Sequence, residues 1–106
     1  MVDVPARRLV VQAKAEAELE RAFDWYEAQS VGLGAEFLRA VDAVFASICR
    51  TPALYPAVHG RTRRALLRRF PYGVFFYERD EDREVVVIAV VHGRRDPRVW
   101  RSRAAG

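Results

Sequence analysis

The sequence predicts an α+β fold: an N-terminal strand and an antiparallel helical hairpin, then a three-stranded antiparallel meander, with the helices packed on one twisted sheet. Three observations carry this β-α-α-β-β-β order. Two long segments place apolar residues at helical spacing and are joined by a short link containing glycine. Three later segments are rich in β-branched and aromatic residues and are punctuated by turn residues. The last of them holds the unbroken apolar run Val85-Val86-Val87-Ile88-Ala89-Val90-Val91, the pattern of a strand covered on both faces.

Each element has its own justification. Residues 7–12, with Leu9, Val10 and Val11 at the centre, read as the first strand. Residues 14–29 read as a helix, because Ala15, Leu19, Ala22, Phe23 and Tyr26 share one face. Glu16, Glu18 and Glu20 near its start suit the positive end of the helix dipole. Gly32 and Gly34 interrupt the pattern and permit a tight turn. A second helix follows over residues 35–50, with Phe37, Leu38, Val41, Val44, Phe45 and Ile48 inward, and Thr51-Pro52 ends it. The stretch with Tyr55, Pro56, His59 and Gly60 reads as a loop. The meander strands are expected over residues 63–70, 73–79 and 84–91, divided by Pro71-Tyr72-Gly73 and by Asp80-Glu81-Asp82-Arg83. Phe75 and Tyr77 should share one face of the middle strand, and Val74 and Phe76 the other. Helices on one side only would leave an apolar sheet face open to a partner.

The length of 106 residues implies one domain, 1–106, burying roughly two-thirds of its unfolded surface. Cys49, the single cysteine, excludes an internal disulfide and falls in an apolar helical pattern, so a buried, inert thiol is expected. Residues 1–5 lack the apolar core of a signal peptide, and no apolar run nears the roughly 18 residues of a membrane span. A soluble cytoplasmic protein without membrane association is therefore expected. Residues 1–60 carry six basic and eight acidic residues, whereas residues 61–106 carry twelve and six, so the second half supplies the net charge of +4. All basic residues but Lys14 are Arg, whose planar fork suits phosphates and carboxylates. An acidic protein or nucleic-acid partner is implied. No Gly-rich phosphate loop, metal-ligand cluster or nucleophile elbow is present, so no cofactor or metal is expected, and His59 stands without a second histidine nearby.

The last strand runs into His92-Gly93-Arg94-Arg95-Asp96-Pro97-Arg98-Val99-Trp100, which brings a histidine, arginines and a tryptophan to one edge of the molecule. Together with Trp25-Tyr26-Glu27, Gly32-x-Gly34-x-x-Phe37, Pro52-x-x-Tyr55-Pro56 and Arg69-Phe70-Pro71-Tyr72 with Tyr77, this order of motifs over roughly residues 7–103 resembles the RelE/ParE superfamily of toxins from type II toxin-antitoxin modules, including the ParE-like plasmid stabilisation proteins. The resemblance implies a growth-inhibiting toxin neutralised by direct binding of a cognate antitoxin. It divides into ParE-like inhibition of DNA gyrase and RelE-like, ribosome-dependent cleavage of messenger RNA. A non-toxic binding module of the same fold is a third reading.

For a nuclease, cleavage by the 2′-hydroxyl needs a base, an acid and cations around the phosphate. His92 is the candidate acid or base, Arg68 or Arg95 the phosphate ligand, and Tyr77 a stacking or proton-donating group, with Arg64 nearby in type. Each also has a structural reading: His92 as a strand-end hydrogen-bonding group, Arg95 paired with Asp96, and Trp100 packing the tail down. RelE-like nucleases typically carry several lysines and arginines around the sheet face and reactive residues near the C-terminus. With Lys14 alone and no Tyr or His after Trp100, the gyrase-inhibiting branch is favoured. The surface for target or antitoxin is expected to comprise Arg64, Leu66, Arg68, Phe75, Tyr77, Ile88, Arg94, Arg98 and Trp100.

Overall fold

The computed structural model describes residues 6–104, and the expectation drawn from residues 1–5 lies outside the described residues. In chain order the elements are β1 (Arg8–Val11), α1 (Ala13–Gln29), α2 (Leu33–Arg50), β2 (Ala57–His59), β3 (Thr62–Leu66), β4 (Tyr72–Arg79), β5 (Glu84–His92) and the short helix α3 (Arg98–Arg101). They form the expected α+β arrangement, with α1 and α2 on one face of a single sheet ordered β1-β5-β4-β3-β2. The meander β3-β4-β5 is antiparallel throughout. The sheet as a whole is mixed, because the long crossover through the helices returns β5 parallel to β1.

Two further differences from the sequence reading have local causes. The loop after the helices contains a fifth strand, β2, whose three residues are too few to show a pattern, and it pairs irregularly with β3. The strand expected to reach residue 70 stops at Leu66. There the Leu67 N–H donates to the Tyr72 carbonyl and the Tyr72 N–H to that of Phe70, closing a tight turn with Arg69 at φ 69°. Leu67 and Phe70 are buried by this turn, so their apolarity reports turn packing and not a continuing strand.

The helical hairpin is set by Glu27. Its carboxylate accepts the backbone N–H of Gly32 and of Gly34, both at 2.9 Å, and so satisfies donors that the start of α2 would leave open. Gly32 turns the chain at φ 90°, which an L side chain adopts only with strain. Gly34 lies inside α2, which therefore begins two residues earlier than expected, and a Cβ there would sit 2.8 Å from the Phe23 ring. Phe37, one turn further on, lies 5.2 Å from the Tyr26 and Tyr72 rings and 5.4 Å from that of Phe70, forming the aromatic centre of the core.

Every residue of β5 from Glu84 to Val91 is buried. Its pairing with β4 slips between Phe75 and Phe76: Phe75 faces Ala89 and Phe76 faces Val87, leaving Ile88 as the extra residue of a bulge. Val85, Val87 and Val90 consequently face the helices with Val74 and Phe76. Val86, Ile88, Ala89 and Val91 face the other side with Phe75 and Tyr77. The face expected to be open is covered by Trp100, Val99 and Ala104 from the tail and by Val58 from β2.

At the opposite end of β5, Glu84 lies between Arg8 of β1 and Arg79 of β4, bonded to the Arg8 guanidinium and, at 3.1 Å, to Arg79 Nη1. The Arg8 hydrogen bonds, acting against burial and helped by the charges of Arg8 and Arg79, hold the Glu84 carboxyl below its ordinary range. Its stabilisation is complete above the unfolded value of about 4.3 and is lost as the pH falls through the depressed folded value. Glu84→Gln is expected to flatten this acid limb in thermal melts between about pH 2 and 6. Gly34→Ala is expected to destabilise by about 1 to 3 kcal/mol in a urea titration, since Phe23 must move.

Candidate functional site

The bulge in β5 decides where His92 goes. Without the extra residue the alternation would place His92 on the tail side; with it, the imidazole meets Tyr72 at 5.4 Å, edge to face. The chain then turns sharply. The Gly93 N–H donates to the Pro71 carbonyl at 2.8 Å and the Arg95 N–H to the His92 carbonyl at 2.9 Å. The Arg94 N–H donates to His92 Nδ1 at 3.0 Å, which assigns the proton of the neutral ring to Nε2. In this arrangement the ring presents a donor outward and has no free basic nitrogen.

Asp96 starts the tail helix α3. Its carboxylate accepts the Arg98 N–H at 2.9 Å and both Arg98 Nε and Nη2, and these bonds hold the Asp96 carboxyl below its ordinary range. Asp96 therefore pairs with Arg98 and not with Arg95. One turn later Trp100 stacks on Phe75 with ring centroids 4.3 Å apart, and Arg101 lies over the indole at 5.5 Å. Arg103 closes the tail by donating from Nη1 to Glu18 Oε1 and to the Ile88 carbonyl, both at 3.0 Å. Glu18 Oε1 also accepts the Val90 N–H at 3.1 Å, so this carboxylate near the start of α1 is buried between α1, β5 and the tail.

These elements enclose a basic cleft of about 280 Å³ between the β3-β4 edge and the tail. Arg64, His92, Arg95 and Arg101 surround it, with Leu66, 63% exposed, at its mouth. Among the described residues none of these three guanidiniums has an ion pair, whereas Arg7, Arg8, Arg63, Arg79, Arg98 and Arg103 all do. An anionic group in this cleft therefore meets three guanidinium forks that no carboxylate already holds.

Of the residues expected to act together, His92, Arg95 and Arg64 converge here. Tyr77 does not: it lies five residues along β4 from the Tyr72–His92 pair, about 16 Å away at 3.3 Å per residue. There its hydroxyl accepts from Arg79 Nη2 at 3.2 Å. Arg68 is exposed on the β3-β4 turn outside the cleft, and Arg94 is exposed beside His92. Phe75 and Trp100 line the cleft as its stacked, mostly buried floor, and Ile88 is fully buried beneath the tail. Arg101 is the residue that sequence reasoning missed; its position one after Trp100, on a four-residue helix, carries no periodic signal. Among the described residues no group of three His, Cys, Asp or Glu side chains converges to hold a metal ion, and no helix is long and apolar enough to cross a membrane. Burial raises the Cys49 thiol above its ordinary value, in keeping with an inert group.

The floor of the cleft depends on the tail being held down. Trp100→Ala is expected to cost about 3 to 5 kcal/mol, measured by urea denaturation. Arg103→Met is expected to cost about as much, because it leaves the Glu18 carboxylate, 4% exposed, without its cation.

Comparison with known proteins agrees with this architecture. The toxin-antitoxin structure described as the chromosomal ParDE system from P. aeruginosa matches with a TM-score of 0.71 at 15% identity, covering 82% of this chain and 96% of that one. The RelBE2 toxin-antitoxin complex from Mycobacterium tuberculosis matches with a TM-score of 0.60 at 23% identity, covering 82% and 91%. No curated protein sequence matches. The family described as ParE toxin of the type II toxin-antitoxin system, parDE, matches residues 9–97. Nearly the whole described sheet and both long helices fall within that match, and the chain belongs to the ParE toxin family of type II toxin-antitoxin systems.

Proposed function

We propose that this protein arrests bacterial growth by binding, that its target is DNA gyrase, and that a cognate antitoxin neutralises it by direct association. The observation that carries a binding mechanism is the state of His92. Its Nδ1 accepts the Arg94 N–H, so the ring offers Nε2–H to a ligand as a hydrogen-bond donor. Tyr77, the other proton-handling candidate, is too far along β4 to share a substrate atom with it. Arg64, Arg95 and Arg101 are well placed to grip an acidic or nucleic-acid-bound surface, which needs charge and shape but no general base. The scarcity of lysine and the lack of Tyr or His after Trp100 favour the gyrase-inhibiting branch, and the toxin-antitoxin neighbours support an antitoxin partner.

Cleavage of messenger RNA on the ribosome is the second reading, and one observation favours it: the same cleft places an imidazole among three arginines above an indole. Induced expression with and without the antitoxin, followed by transcript integrity and plasmid supercoiling, separates the two. Growth arrest with intact transcripts and altered supercoiling is the expected result; rapid cleavage within translated regions would establish the nuclease. In a supercoiling assay with purified gyrase, Arg64→Ala and Arg95→Ala are each expected to weaken inhibition about tenfold or more, the effect of losing one charged hydrogen bond. His92→Gln, which keeps an N–H donor but cannot transfer a proton, is expected to retain most of the toxicity.

A further inference from the structure

We propose that the antitoxin neutralises this protein from behind the basic cleft, by seating an acidic segment with an apolar anchor residue in a second cleft between α1 and the end of β5. The proposal rests on the toxin reading above and names the partner's site. This second cleft, of about 480 Å³, lies on the helix side of the sheet. Its walls include Ala22 and Trp25 of α1, Tyr72 of β4 and Val90 of β5, with Arg21 and Arg95 also lining it. That volume lies in the range of specific ligand sites and takes two or three side chains.

Three features fix the chemistry of the occupant. Trp25 is 58% exposed although it is among the largest apolar side chains of the protein, and its ring meets that of Tyr26 edge-on at 5.1 Å. An exposed indole beside an apolar hollow is the kind of anchor point at which interface energy concentrates. Next, neither the Arg21 nor the Arg95 guanidinium has an ion pair among the described residues, while the Glu18 carboxylate at this cleft is already neutralised by Arg103. The lining is therefore net positive and calls for carboxylates. Finally, the apolar walls and the presence of only two cations favour a folded or extended protein segment over a nucleic-acid strand, which needs a continuous track of positive charge.

The consequence for regulation comes from geometry. His92 and Arg95 line both clefts, one from each side of the β5 end. A carboxylate seated beside Arg21 competes with the target for the Arg95 guanidinium and for the His92 Nε2–H. Neutralisation then follows without the antitoxin covering Arg64 or Leu66, and by linkage an occupied target cleft weakens antitoxin binding by the same factor.

The test uses the full-length protein and the antitoxin encoded beside it, with affinity measured by calorimetry and neutralisation by co-expression. Trp25→Ala and Arg21→Ala alter exposed side chains and are expected to leave the thermal midpoint and the toxicity unchanged. Each is expected to weaken antitoxin affinity at least tenfold and to let growth arrest persist when the antitoxin is present. Neutralisation and affinity equal to the unaltered protein in both variants would overturn the proposal while leaving the toxin reading intact. Loss of binding to a single-stranded oligonucleotide, with antitoxin binding unchanged, would overturn it in favour of a nucleic-acid occupant. An unaltered protein that neither arrests growth nor binds the antitoxin would overturn both readings.

Discussion

The structure turns on the one residue too many in β5. A strand buried on both faces cannot leave its ladder groups unmet, yet the bulge at Ile88 displaces the Ile88 carbonyl and the Val90 N–H from regular pairing beyond the end of β1. Glu18 of α1 and Arg103 of the tail supply what a neighbouring strand would have supplied, one accepting from Val90 and the other donating to Ile88, and they bond to each other as they do so. A buried ion pair is weak evidence for stability when it stands alone. Here it is the means by which three distant parts of the chain, at residues 18, 88–90 and 103, are held in one geometry. Because the same bulge reverses the alternation, it also aims His92 toward the helices and so gives the β5 end two working sides.

How much of this was legible in the sequence follows from the kind of signal each feature leaves. The two helices announce themselves through Ala15, Ala22, Tyr26, Phe37, Val41 and Ile48, because a buried face repeats at helical spacing. The meander was legible through its turn residues. The bulge was not, since a run of valines, isoleucine and alanine reads identically whichever face each residue takes. The mixed sheet escaped for a related reason: Leu9, Val10 and Val11 suit either strand direction, and only the tertiary crossover decides. The buried bonds of Glu18 were not legible, because position in a helix says nothing of what packs above it. For the site, His92, Arg64 and Arg95 were found because polar residues at the end of an apolar strand stand out. Tyr77 was grouped with them wrongly in space, since aromatic character does not reveal distance along a strand.

Electrostatics gives the molecule its polarity. Several arginines are held in pairs, Arg63 with Glu78, Arg103 with Glu18, and Arg8 and Arg79 together on Glu84, where one buried carboxylate bridges the guanidiniums of the strands on either side. Arg64, Arg95 and Arg101, which have no ion pair among the described residues, stand together at the β5 end. A surface so arranged attracts acidic partners from a distance and lets short contacts choose among them.

The pairing of β1 with β5 has a temporal meaning. Arg8 meets Glu84 across 76 intervening steps of chain, and Arg103 reaches back across 85 to fasten the sheet to α1. A chain emerging N-terminus first therefore has helices before it has a sheet, and an unpaired first strand until its fifth has appeared. Long-range closures of this kind place the fold among the slower-forming topologies. The cleft, which draws on residues from Val58 to Arg101, is accordingly complete only after both long helices and all five strands have been made.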